Sequence, residues 1–172
     1  TDNTEEIPRS GKILVNKNGV LFDSVEVIQN GRSRNFRIEA ENYSAMTGLQ
    51  TETTTDEGGG LNLGYVDIND WVTYNIEVSY TGTYEILFRH AGYAGDFDIF
   101  IDDVFFKNVT LPSTAGWQVW KSNSIQLSFL EGFYVMKFKF NKPGLNLNWM
   151  QFNWISPLNI NQESYSEEIK IY

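Results

Sequence analysis

From Phe36 to Ile155 the chain is a procession of short segments that alternate apolar and polar residues, broken about every 8–12 residues by turn formers. This pattern limits the fold more than any other feature, because alternation sends successive side chains to opposite faces of a strand. In DWVTYNIEVSY, Val72, Tyr74, Ile76 and Val78 fall on one face and Thr73, Asn75 and Glu77 on the other. TGTYEILFRHAGY repeats the pattern with Tyr84, Ile86 and Phe88. DFDIFIDDVFF, GWQVWKSNSIQLSF, GFYVMKFKF and LNLNWMQFNWI complete the series, and no amphipathic helix interrupts it. The expected fold is all-β, an antiparallel β-sandwich of the jelly-roll kind. A chain of 172 residues with 41% hydrophobic content can close one such core.

The flanks depart from the pattern. Residues 1–12 are polar and without period, and read as a tail. Residues 13–28 hold two apolar runs around Asn18-Gly19, a hairpin-turn pair. The chain therefore divides into an N-terminal extension (1–35), a sandwich (36–156) and a C-terminal tail or linker (157–172). The extension is either an added hairpin or the trailing edge of a neighbouring domain. Within the sandwich, SAMTGLQTETTTDEGGG reads as a long polar loop.

Charge and residue usage exclude several functions. A formal charge of −9 argues against nucleic acid and anionic membranes as partners, and favours a neutral ligand or bound cations. Without Cys, and with His90 alone, the chain lacks Cys-based zinc sites, thiol nucleophiles and disulfides. No apolar run approaches the roughly 20 residues of a membrane span. No signal-peptide pattern opens the chain, so an exported protein is expected here in its mature form.

FRIEAENY, GLQTE, GGGLNLGYVDINDWVTYN, GWQVWKS and GLNLNWMQF occur in this order, and with them residues 36–155 resemble carbohydrate-binding module family 6. The resemblance implies a calcium-containing sandwich and a noncatalytic module for a neutral β-linked polysaccharide. The acidity of the chain, with a C-terminal phrase that resembles the entry to a type IX secretion sorting domain, tilts the expected ligand toward β-1,3-glucan such as laminarin, or agarose. The family resemblance also implies a covalently attached glycoside hydrolase held beside its substrate, a monomer, and secretion to the outside or surface of a bacterium. The closing EEIKIY resembles the entry to a type IX secretion sorting domain, with a plain tail or an edge strand as the alternative.

Sugar rings present apolar C–H faces rimmed by hydroxyls, so aromatic rings stack on them while amides and carboxylates reach the rim. Carried onto this chain, the family's loop site takes Tyr65 and Trp117 as its two walls. Asn146 becomes the amide and Glu52 a carboxylate. Asn148, two positions along the strand, is a second amide on the same face. Trp71, Trp149 and Trp154 are expected in the core. A second family site, on a sheet face, would draw on aromatics such as Tyr93, Phe100 or Trp120.

Glu39 and Glu41 stand at i and i+2, which on a strand puts both carboxylates on one face about 7 Å apart. Such a pair calls for a cation, a basic partner or a shared proton. Ca²⁺ is a hard ion that takes about six to eight oxygens. The resemblance implies a structural Ca²⁺ on Glu39, Glu41, carbonyls near Gly60 and the side-chain oxygen of Asn153. The alternative is a solvated pair offset by Arg34 or Arg37.

The same separation is near that of an inverting glycosidase, which makes a β-sandwich glycoside hydrolase the enzymatic alternative. Asp96 and Asp98 form a second pair on one face, but a solvated edge with turn-forming Asp explains them better. His90 has no Ser or Cys nucleophile phrase near it, and the chain is expected not to be an enzyme. A calcium-stabilised structural or adhesion domain without glycan binding is the third reading.

Overall fold

The computed structural model describes residues 6–29 and 31–158. The chain divides into two compact units, residues 1–34 and 35–172. The EEIKIY phrase at 167–172 lies outside the described residues.

In the first unit, β1 (Arg9–Lys17) and β2 (Val20–Gln29) pair antiparallel. Asn18 and Gly19 between them have φ of 53° and 80°. A type I′ turn needs the left-handed region at both positions, and Asn and Gly are the residues that enter it cheaply. The strand already starts at Arg9, opposite Gln29, so the expected tail over 1–12 is shorter than its polarity implied.

In the second unit the strands are β3 (Phe36–Glu39), β4 (Ala45–Thr47), β5 (Gln50–Thr53), β6 (Leu61–Gly64), β7 (Trp71–Val78) and β8 (Gly82–Gly92). They are followed by β9 (Gly95–Ile101), β10 (Val104–Leu111), β11 (Gly116–Phe129), β12 (Gly132–Phe140) and β13 (Leu145–Ser156). One sheet runs β10-β9-β12-β7-β4 and the other β11-β8-β13-β6-β5, with β3 also paired to β13. Among the described residues there is no helix, and the architecture is the expected antiparallel β-sandwich. The segment expected as one long loop, 44–60, contains β4 and β5.

The core sits between the sheets, where the alternation sends Val72, Tyr74, Ile76 and Val78 from one side and Tyr84, Ile86 and Phe88 from the other. Phe88 on β8 meets Phe97 and Phe138 of the opposite sheet edge-on, at 5.5 and 5.9 Å between centroids. Aromatic quadrupoles favour that geometry. The buried Tyr74 hydroxyl donates to the Ala40 carbonyl at 3.0 Å, which satisfies a polar tip that would otherwise be costly inside. Burial, and then the nearby Glu41 charge, push the Tyr74 phenol pKa far up.

Two tryptophans expected in the core are outside it. Val72 and Met150 take the inward positions, so Trp71 and Trp149 turn to the outer faces of their sheets. There each ring carries a cation: Lys137 Nζ lies 5.0 Å from the Trp71 ring, and the Arg37 guanidinium 4.4 Å from that of Trp149. Trp154 does pack against the core.

The path of β13 sets the two ends of the sandwich. It begins with Leu145 opposite Gly92 and finishes with Ser156 opposite Thr83. β3 enters at the second of these ends, with Phe36 opposite Phe152 and the Trp154 amide donating to Asn35 Oδ1 at 2.8 Å. Gly64, Gly92, Gly116 and Leu145 mark the other end.

Candidate functional site

Three aromatic residues emerge at the end marked by Gly92 and Leu145. Trp117 owes its place to a break in the β11–β8 ladder. Gly116 pairs with Gly92 and the next rung is Lys121 with His90, so residues 117–120 of β11 stand against the single Ala91. The surplus backbone bulges outward and leaves Trp117 46% exposed. Tyr65 follows β6 with φ of 58°, a left-handed conformation rare for an aromatic residue, and is 61% exposed. Such strain costs about 1–3 kcal/mol and gathers at functional sites. The third is Tyr93, directly after β8, also 61% exposed.

Beside these rings is a cluster of amides around one carboxylate. Glu52 Oε1 accepts from Asn146 Nδ2 at 2.6 Å, Asn62 Nδ2 at 3.1 Å and Gln118 Nε2 at 3.4 Å. Asn146 Nδ2 also donates to the Trp117 carbonyl at 2.8 Å, which ties the wall to the carboxylate. Gln118 Oε1 in turn accepts from the Thr55 amide at 2.8 Å and from Trp120 Nε1 at 3.2 Å. Gly64 closes the cluster: a Cβ there would stand 2.8 Å from Asn146 Oδ1 and 3.1 Å from Glu52 Oε1. A carboxylate has acceptor sites on both oxygens, and these bonds use only Oε1. The arrangement therefore offers exposed aromatic faces next to a hydrogen-bonding rim whose geometry is held before any ligand arrives.

Tyr65, Trp117, Asn146 and Glu52 of the expected set lie at this end of the sandwich. Asn148 stands apart. It shares the outer face of β13 with Asn146, since Leu145 and Leu147 both turn into the core, yet it is not bonded to Glu52. Its Nδ2 donates instead to Asp56 Oδ2 at 2.8 Å. Asp56 is also paired with Arg89 through two bonds, at 2.8 and 2.5 Å. The Arg89 hydrogen bond is the main reason the Asp56 pKa lies below its ordinary value. Sequence reasoning missed Gln118, Asn62 and the Asp56–Arg89 pair, and offered Tyr93 only as a sheet-face candidate. Only the exposure of a large aromatic after Gly92 offered a signal, and it was assigned to a sheet face.

The expected ion ligands are spread out. β3 ends at Glu39, and Glu41 sits in the following turn, outside the strand. Glu39 is engaged by Arg37, at 2.7 and 3.2 Å. Asn153 is four positions beyond Trp149, the partner of Glu39, or about 13 Å along the strand. Among the described residues no three acidic or His side chains converge on a metal position. Glu41 nevertheless has a buried oxygen, Oε2, without a hydrogen-bond partner. Its other oxygen lies 3.9 Å from where a Cβ on Gly60 would be. An orphaned carboxylate oxygen beside a glycine backbone fits a hard cation.

The other titratable groups are occupied structurally. Asp96 accepts from Asn108 and Asn141 and faces Lys142, and the Asn108 bond leads the causes that lower its pKa. A general acid needs the opposite shift. His90 is buried, bonds Asn123 at 2.8 Å, and has its pKa lowered chiefly by burial. A groove of about 430 Å³ opens among Asn75, Glu77, Asp102, Phe133 and Val135, on the five-stranded sheet. Its lining contains none of Tyr93, Phe100 and Trp120, and it has no cluster of amide donors like the one at Glu52, so the loop end is the better candidate.

Known proteins share this architecture. The family model described as "Carbohydrate binding module (family 6)" matches residues 39–154. A carbohydrate-binding module of lichenase 5A from Cellvibrio mixtus, solved with cellotriose, is 33% identical, with a TM-score of 0.64 over 70% of this chain and 98% of that one. A β-1,3-glucan-binding module from Bacillus halodurans is 32% identical, with a TM-score of 0.63 over 69% and 95%. The clotting factor G alpha subunit of Tachypleus tridentatus is 30% identical over 73% of this chain, which spans 20% of that protein. Two further sequence relatives are spanned over 10% and 12% of their length.

Proposed function

The chain belongs to family 6 of the carbohydrate-binding modules, and from that premise we propose that its loop end holds a neutral β-linked glycan, with Tyr65 and Trp117 as the walls. The observation that carries this reading is the convergence of three amide side chains on Glu52 Oε1 next to exposed aromatic rings. The rings take the apolar face of a sugar, and Glu52 and Asn146 meet its hydroxyl rim. Few groups contact the ligand and the site stays wet, so the affinity is modest, about micromolar to millimolar.

The ligand is a β-1,3-glucan such as laminarin, with agarose second. The acidic chain disfavours anionic polysaccharides, and the similar Bacillus halodurans module binds β-1,3-glucan. The module has no catalytic role. It works outside a bacterial cell as a monomeric unit of a longer polypeptide, keeping an attached glycoside hydrolase at its substrate by raising local concentration. Among the described residues no helix is long and apolar enough to cross a membrane. Glu41, with backbone carbonyls around Gly60, seats a structural Ca²⁺. The ion supplies the positive charge that the buried Glu41 oxygen lacks.

The test is calorimetric titration with laminarin, agarose, xylan and cellulose oligosaccharides, with released reducing ends measured in parallel. Binding of a β-linked glycan without release is expected. In Trp117→Ala the affinity drops at least tenfold with an unchanged melting temperature. Release of sugar would overturn the noncatalytic reading, and normal binding by Trp117→Ala would move the site elsewhere.

A further inference from the structure

Tyr93 is an exposed ring on a backbone with almost no freedom. Its amide donates to the Gly144 carbonyl at 3.0 Å. The preceding Gly92 carbonyl accepts from the Thr114 amide at 2.9 Å, and its amide donates to Thr114 Oγ1 at 2.9 Å. Gly92 has φ of 120°, and a Cβ there would lie 2.1 Å from the Gly144 carbonyl oxygen. Only glycine fits that crossing. The knot fixes Tyr93 next to Trp117, with centroids 5.1 Å apart and the planes at 89°.

Two aromatic planes at right angles cannot both lie flat on one pyranose ring. If Trp117 stacks on one sugar, Tyr93 offers its face to a neighbouring ring that is turned relative to the first. A β-1,4-linked glucan is a ribbon whose successive rings keep nearly one plane. A β-1,3 linkage turns each ring away from the last, so the chain coils. We propose that Tyr93 is the specificity-determining residue of this site, forming a second sugar subsite that selects a glycan which turns between adjacent rings, and so β-1,3-linked over β-1,4-linked glucan. This rests on the loop end being the glycan site.

The test compares the whole chain with Tyr93→Ala, Tyr93→Leu and Tyr93→Phe against methyl β-glucoside, laminaritriose and cellotriose, by calorimetry and by NMR titration for the weak ligands. The wild type binds laminaritriose more tightly than cellotriose. Tyr93→Ala and Tyr93→Leu weaken laminaritriose about tenfold, leave methyl β-glucoside within about twofold, and erase the preference for the β-1,3 trisaccharide. Tyr93→Phe keeps it. Equal losses on the monosaccharide and both trisaccharides would overturn the proposal, since Tyr93 would then only brace Trp117. A wild type that prefers cellotriose, or Tyr93→Ala with an unchanged preference, would overturn it and leave the glycan site standing. A wild type that binds none of the three sugars would overturn both.

Discussion

A single methyl group at Gly64 should separate the glycan site from the fold. Gly64 is buried at the end of β6, and its backbone is not in the left-handed region, so Ala is conformationally allowed there. The added Cβ would stand 2.8 Å from Asn146 Oδ1, closer than carbon and oxygen tolerate. Asn146 is 2% exposed, so it can yield only by straining its bonds of 2.6 Å to Glu52 and 2.8 Å to the Trp117 carbonyl. Overpacking of this kind costs about 1–3 kcal/mol, and the lower entropy of the unfolded alanine chain returns about 0.4–1 kcal/mol. The net loss of about 1–2 kcal/mol lowers the melting temperature by roughly 3–10 °C for a domain of this size. Bonds to a charged group contribute about 1.5–3 kcal/mol, so disordering the rim weakens laminarin-oligosaccharide binding about ten- to a hundredfold. The control is Ile99→Val, a fully buried core change that costs about 0.5–1.5 kcal/mol away from these contacts. Thermal melts and calorimetric titrations are run on both. If Gly64→Ala binds as the wild type does, the Glu52–Asn146 pair is not the glycan rim. If Ile99→Val loses binding equally, the effect is general destabilisation.

Chelation should lower the melting temperature and added Ca²⁺ restore it, because an ion bound only by the folded state stabilises it by about 2.7 kcal/mol at a hundred times its dissociation constant. Glu41→Gln should remove that response, and a wild-type melt indifferent to chelator would remove the ion. Asp56 gives a pH dependence. Its folded-state pKa is depressed by Arg89, so its stabilisation is complete above the ordinary value of 3.8 and is lost as pH falls through the folded-state pKa. Asp56→Asn should cost about 2–3 kcal/mol at neutral pH and flatten the acid limb of melting temperature against pH. An acid limb identical to the wild type's would show that other carboxylates carry it.

The sandwich was legible wherever strands were long enough to show their period. Val72 to Val78 needed nothing beyond alternation. β4 and β5 escaped because three or four residues rich in Thr and Gln show no period, and their pairing to β7 and β6 is a tertiary fact. Trp71 and Trp149 were placed in the core because their surroundings alternate with buried positions, which neglects that a cation can cover an outward ring. At the site, Tyr65 and Trp117 were legible through the family resemblance, carried by Gly64-Tyr65 and Gly116-Trp117. Asn148 shares a face with Asn146, as the count along β13 gives, but its partner Asp56 stands 92 positions away and gave no signal. Gln118 and Asn62 gave no signal, since a polar residue becomes a hub only through partners brought from far along the chain. Glu52 and Gln118, 66 positions apart, meet only once the six-stranded sheet has formed.

The sandwich takes in its chain and releases it at the same end, where Asn35 and Trp154 are joined by a hydrogen bond. Asn146 lies eight positions back along β13, about 26 Å away. A module wired in this way resembles a lamp on a two-core flex: both leads leave from the base and the bulb faces outward. A longer polypeptide can take up such a cassette by opening one surface loop, without threading chain past the end that carries Tyr65 and Trp117. Duplication or transfer between hosts then changes what that end is tethered to and leaves its reach unchanged.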